Sequence, residues 1–274
     1  VQPLVRALQV MGALARVECG LTLQDLSTAI SVPIASVHRL LPTLEEEGFV
    51  ARSPSNRRYF IGPAATTAGF GQTGRHTLLG VAYDHLRELA RAAGHAVVVA
   101  ENYGGRAVCT ARLDPLGVRG AGVSTSAQVG ARLPWHASAA ARTLLLDLDR
   151  HEVWRLLSGW EFNRYTARTP ATVEAVWAHL EETRKHGYGV GFDEWESGIW
   201  TLSVPVRDGA RTLTATVTVA GHASQVAEPS VRAGIRDLTI ETAAVIAAEL
   251  GYSDDRRRWP AADLKEEDVH ADTG

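Results

Sequence analysis

The stretch from Thr22 to Ile61, TLQDLSTAISVPIASVHRLLPTLEEEGFVARSPSNRRYFI, constrains the chain more than any other. Leu23, Leu26 and Ile30 recur at three- and four-residue steps and define a short amphipathic helix. Thr22 is placed to cap it, and Asp25, three residues on, supplies the acidic half of a capping box. Ser31-Val32 reads as the turn. Pro33 then suits the first position of a second helix, where its missing N–H is harmless. On that helix Ile34, Val37, Leu40, Leu41 and Leu44 share one side and are expected in a core. Ala35, Arg39, Pro42 and Glu46 then face outward, with Ser36 and His38 on the flanks. Gly48 ends the helix. Pro42 lies well inside it, where proline costs ~3 kcal/mol, so a bend near His38 or a break into two pieces is expected. Phe49-Val50-Ala51 and Tyr59-Phe60-Ile61 read as two short strands. The turn formers Ser53-Pro54-Ser55-Asn56 join them, with Arg52, Arg57 and Arg58 at the tip.

Helix, turn, helix and arginine-tipped hairpin together read as a winged helix-turn-helix. Such a unit lays one helix in the major groove and its wing on the neighbouring backbone. The residues placed to meet double-stranded DNA are Ala35, Ser36, His38 and Arg39 on the helix, and Arg52, Arg57 and Arg58 on the wing. Charge limits how such a head can work. The whole chain carries −3, and residues 1–63 carry only +1, with six arginines against five acidic side chains. One copy would hold a polyanion poorly, so two or more copies are expected.

Leu4 to Ala15 adds a helix behind the pair, and Leu21-Thr22-Leu23 is a candidate third strand for the wing. Residues 1–63 are thus read as the DNA-binding domain and 64–80 as a linker, weakened as a helix by Gly69, Gly71, Gly74 and Gly80. Residues 81–252 then read as a second domain. Val81 to Ala93 is helical, and strands are expected at Ala96–Ala100, Arg106–Leu113 and Arg119–Ser124. Helices follow at Arg142–Leu148, Glu152–Leu157 and Val173–His186, the last stopped by Gly187. Strands Gly189–Asp193, Trp200–Val206 and Leu213–Ala220 and a helix from Ser230 through Ala248 complete it, with a hairpin at Asp208-Gly209. Strands in hairpins flanked by helices give α+β, an antiparallel sheet with helices packed against it. Residues 253–274 read as a charged, disordered tail.

Composition closes off other classes. Two cysteines, Cys19 and Cys109, make no disulfide framework and have no metal-ligand spacing, so no metal or cofactor is expected and a reducing cytoplasm is. No apolar run is long enough to span a bilayer, and no signal peptide is expected, although the chain begins without Met.

Several segments, in order, resemble the IclR family of bacterial transcription regulators. These are Val1–Leu8; Val37–Val50 (VHRLLPTLEEEGFV); Arg58–Pro63; Gly130–Ala139 (GARLPWHASA); His186–Val190; Asp193-Glu194; and Gly198-Ile199. The resemblance implies a GAF-like effector domain behind the head and a dimer or dimer of dimers on DNA. It also implies a small organic or aromatic acid that sets DNA affinity, and no catalysis. The chain departs from the family at Ile34, Pro42, Ala141, Arg142, Ser197 and Thr201.

Within that domain, Pro134–Ala140 reads as a strand end entering a helix, whose free N–H groups attract an anion. Trp135, His136, Ala137, Ser138 and Ala139 are therefore candidate effector contacts, as are Asp193, Glu196, Trp200, Thr201 and Ser203 from the later segments. Trp195 is a further candidate wall, with core packing as its alternative. Glu194 fits a solvated loop at least as well. Ser138 with His136 and Asp193, or Cys109 with His136, could make a hydrolase, but no G-x-S-x-G elbow is present and Cys109 sits mid-strand. Two other readings stay open: an enzyme with a vestigial DNA-binding head, and a DNA-binding regulator that needs no ligand.

Overall fold

A computed structural model describes residues 2–15, 17, 19–53, 56–65, 77–115 and 126–253. The chain divides into two compact units, Val1–Thr77 and Leu78–Gly274.

In the first unit, α1 (Gln2–Leu14), α2 (Leu23–Ala29) and α3 (Ile34–Glu46) precede a hairpin of β1 (Val50–Arg52) and β2 (Tyr59–Ile61). Thr22 and Asp25 form the expected reciprocal capping box on α2. Ser31 turns the chain with a positive φ of 53°. Pro33 is the N-cap of α3, one position before the expected one. Val10, Leu14, Leu26, Val37, Leu41, Val50 and Tyr59 make a core of their own. Leu21 bridges to Tyr59, the start of a third wing strand.

Two expectations fail on α3. Ile34 is not in the core but 42% exposed, because Val32 in the preceding turn packs on the core instead. Of the two outcomes expected at Pro42, the split into separate pieces does not occur: the helix runs through Pro42 to Glu46. Pro42 lies on the exposed face, where water can satisfy the carbonyl its missing N–H leaves behind.

Among the described residues, the second unit holds a five-stranded antiparallel sheet in the order β4-β3-β7-β6-β5. Its strands are β3 (Ala96–Asn102), β4 (Ala107–Leu113), β5 (Gly189–Phe192), β6 (Ile199–Arg207) and β7 (Leu213–His222). The strand expected at Arg119–Ser124 lies outside the described residues. One face carries Val97, Val99, Leu202, Val204, Val217 and Val219, covered by α4 (Thr77–Ala93) and α8 (Pro229–Glu249). The other carries Val98 and Ala100, under α5 (Ala139–Thr143), α6 (Arg150–Leu157) and α7 (Val173–His186). Strand alternation sorts the two faces.

Helix α4 starts four residues before Val81, because Leu78 and Ala82 are both buried on the sheet. The helix expected at Arg142–Leu148 is instead the short α5, capped by Ser138 and followed by turns. A single turn and a half carries little of the macrodipole assumed for an anion site.

Candidate nucleic-acid interface and effector cavity

Burial of Val37 and Leu41 fixes the roll of α3. Ala35, His38 and Arg39 are therefore exposed, and Ser36 is half-buried. Ile34 joins that exposed N-terminal surface, where an apolar side chain can meet a thymine methyl. On the wing, Arg57 is exposed and holds a positive φ of 57°. Arg52 lies 5.5 Å from the centroid of the Tyr59 ring. Arg58 differs from both. Its Nη1 donates to the Gly20 carbonyl at 2.8 Å, and its N–H donates to Asn56 Oδ1 at 3.0 Å. It thus ties the wing to the loop before α2.

In the second unit a cavity of about 50 Å³ opens on the sheet face beneath α5. One water needs only ~10–15 Å³ of such space, so the cavity has room for a few waters or a group of similar size. Of the ten candidates, Ala137, Ser138, Ala139, Glu196 and Thr201 line it. Ser138 Oγ accepts from Ala141 N at 3.4 Å. Glu196 Oε1 accepts from the Ser126 N–H, which fastens its loop over the cavity.

The structure places the other five elsewhere. Trp135 is 1% exposed in the core beneath α5–α7. Trp200 packs on the opposite face of the sheet with α4 and α8; adjacent strand residues point to opposite faces, so Trp200 and Thr201 cannot share a cavity. Ser203 is on the right face, but it is sealed in the core and accepts from Thr218 Oγ1 at 2.9 Å. Asp193 turns its carboxylate onto the Gly198 N–H.

His136 is wholly buried. Its Nδ1 accepts from Trp160 Nε1 at 2.9 Å, so its Nε2–H is the group facing the Asn163 carbonyl at 2.9 Å. Both ring nitrogens are spent, and burial holds the pKa below its ordinary value. His136 therefore cannot take a proton from Ser138. Burial likewise pushes the Cys109 thiol up to about 11, which keeps it un-nucleophilic. Neither hydrolase arrangement exists. Among the described residues, no group of three His, Cys, Asp or Glu side chains is placed to hold a metal.

The cavity also takes Trp195, the further candidate wall, and residues that sequence reasoning did not offer as contacts. Val98 and Thr218 form its floor, Gly191 and Ile199 its side, and Trp195 and Glu194 its polar end. Glu194 is not in a solvated loop: it is 7% exposed, and its Oε2 lies 2.5 Å from Arg142 Nη1. Arg142, itself 2% exposed, also donates to the His136 carbonyl at 2.8 Å and the Val190 carbonyl at 3.2 Å. Burial raises the Glu194 pKa, while Arg142 opposes the rise. A charged residue amid alanines, Arg142, was the available signal, since a buried guanidinium requires an anion.

Comparison with known proteins agrees with both units. Residues 3–54 match the IclR helix-turn-helix domain, and residues 71–248 match the C-terminal domain of bacterial transcriptional regulator IclR. The chain is 27% identical over 252 residues to the HTH-type transcriptional regulator XynR of Escherichia coli, covering 92% of this chain and 98% of XynR. It is 27% identical over 233 residues to the transcriptional repressor IclR of the same organism, covering 84% of each. An IclR homolog from Microbacterium hydrocarbonoxydans, crystallised with 4-hydroxybenzoate, superposes with a TM-score of 0.70 at 20% identity, covering 90% of this chain and 98% of its own. With both domain types matched in order along most of its length, the chain belongs to the IclR family of bacterial transcriptional regulators.

Proposed function

We propose that this protein is a homo-oligomeric, cytoplasmic repressor that loses or gains DNA affinity when a small organic acid fills the cavity of its second unit. The observation that carries the DNA half is the roll of α3, which buries Val37 and Leu41 and leaves Arg39 and His38 outside. The cavity supports the effector half, and the 4-hydroxybenzoate held by the Microbacterium relative supports the chemical class. Repression is supported by the relative named as a repressor. Among the described residues no helix is long and apolar enough to cross a membrane.

A dimer or dimer of dimers is supported by two observations. The head carries too little positive charge to work singly. Leu4, Val5 and Leu8 expose an apolar row on α1, which a second copy would cover.

The test is DNA selected from a random pool by the full-length protein. Arg39→Ala should weaken binding to the selected sequence by ~1–3 kcal/mol and relax preference at one base pair per half-site. Unchanged affinity and unchanged preference would remove α3 from the interface.

A further inference from the structure

We infer that the cavity selects an effector bearing a hydroxyl or other hydrogen-bond donor, which it presents to Glu194, and that Glu194 is the residue setting this preference. This rests on the effector reading above and deepens it.

The polar end of the cavity is rich in acceptors. Glu194 and Glu196 both line it, with the hydroxyls of Ser138, Thr201 and Thr218. Among the described lining residues there is no Lys, Arg or His. The nearby buried cation, Arg142, is not part of the wall. Its guanidinium is engaged by the His136 and Val190 carbonyls and by Glu194 itself. A ligand carboxylate arriving at this end would therefore find the cation already neutralised and would face a second carboxylate, Glu196.

The geometry at Gly191 sharpens the point. A Cβ built on Gly191 would meet Thr201 Oγ1 at 2.7 Å, Ala139 Cβ at 3.4 Å and Glu194 Oε2 at 3.4 Å. These atoms converge on one bare backbone position, all of them on the cavity wall. A carboxylate has about four lone-pair sites; Arg142 on Oε2, the Phe192 N–H, and His179 Nε2 3.8 Å from Oε1 do not fill them all. A donor group reaching this corner gains a charge-assisted bond in a desolvated setting. A bare carboxylate gains none. An acid that binds here is thus a hydroxy acid, with its hydroxyl toward Glu194 and its carboxylate directed away from it.

The experiment is calorimetric titration of the full chain with 4-hydroxybenzoate, benzoate and phenol, each up to about 10 mM. The wild type should bind 4-hydroxybenzoate at least about tenfold more tightly than benzoate, and phenol should compete for the same site. In Glu194→Gln the preference for the hydroxylated acid should fall below about threefold, because the charge that strengthens the bond is gone. If that variant does not melt cooperatively, the paired change Arg142→Met with Glu194→Gln removes both charges together and is titrated in its place. Equal binding of benzoate and 4-hydroxybenzoate by the wild type would overturn the inference. So would a preference that survives the loss of Glu194, as a purely structural role for it requires. If none of the three probes gives heat or changes DNA binding, the inference falls together with the acid-effector reading. Binding of benzoate alone sinks the inference and leaves that reading standing.

Discussion

Arg57 and Arg58 are neighbours at the wing with different work. Arg58 holds the Gly20 carbonyl, while Arg57 is exposed. Arg58→Ala should lower the stability of the head by ~1–2 kcal/mol, the usual worth of a charge-assisted hydrogen bond. Arg57→Ala should leave the melting temperature unchanged and reduce the salt dependence of DNA binding by ~0.9 in log–log slope. Thermal melts and salt titrations of both variants decide it, and identical behaviour in the two would refute the division. Sequence could place both arginines at a turn but could not say which one points back at α2. The effector candidates divide in the same way. Thr201 and Ser138 do lie on the cavity wall, Ser138 as the N-cap of α5 and Thr201 on β6. Trp200 was misplaced although strand alternation, applied strictly, separates it from Thr201. Glu194 was illegible alone. Its burial depends on Arg142, 52 positions earlier in the chain.

At the scale of elements, local signals located what local physics controls. The capping box opens α2, and Thr172 and Gly187 bound α7 at Val173–His186 as expected. The misses have tertiary causes. Helix α4 is longer because Leu78 has a sheet to pack on. Helix α5 comes earlier because Ser138 caps Ala141 and the alanine run is itself helical. Pro42 is the opposite case, a strong local signal overruled by packing. With Val37 and Leu41 both anchored in the core, α3 stays continuous across it. Pro42→Ala should restore the missing hydrogen bond and raise the stability of the head by ~1–3 kcal/mol. A melting temperature that stays level or drops would show that the proline is accommodated without strain.

At the scale of the whole molecule, pH acts through buried histidines. Desolvation lowers the pKa of His95, His136 and, most of all, His179, which falls to about 4, below the ordinary histidine value of about 6.5. Unfolding lets each take up a proton that the folded state resists. The stability they contribute is therefore complete above pH 6.5 and is lost as pH falls below it toward the folded values. Melting temperature should decline with acidification through this window, and His136→Asn should flatten the decline. A variant that tracks the wild type at every pH would contradict that assignment. The α+β class and the order of the two domains were legible from the chain, because periodicity and turn chemistry are local. The pairing of β3 with β7 was not. That pairing has a consequence in time. Between Ile61, which completes the wing, and Leu213, which begins β7, lie about 150 residues, roughly 10–30 s of synthesis at common ribosomal rates. For that interval a nascent chain owns a finished reading head while its sensor is still an open sheet without its central strand. Each new molecule thus completes its head well before its sensor, at a stage when it is a single copy whose residues 1–63 carry only +1 and hold a polyanion poorly.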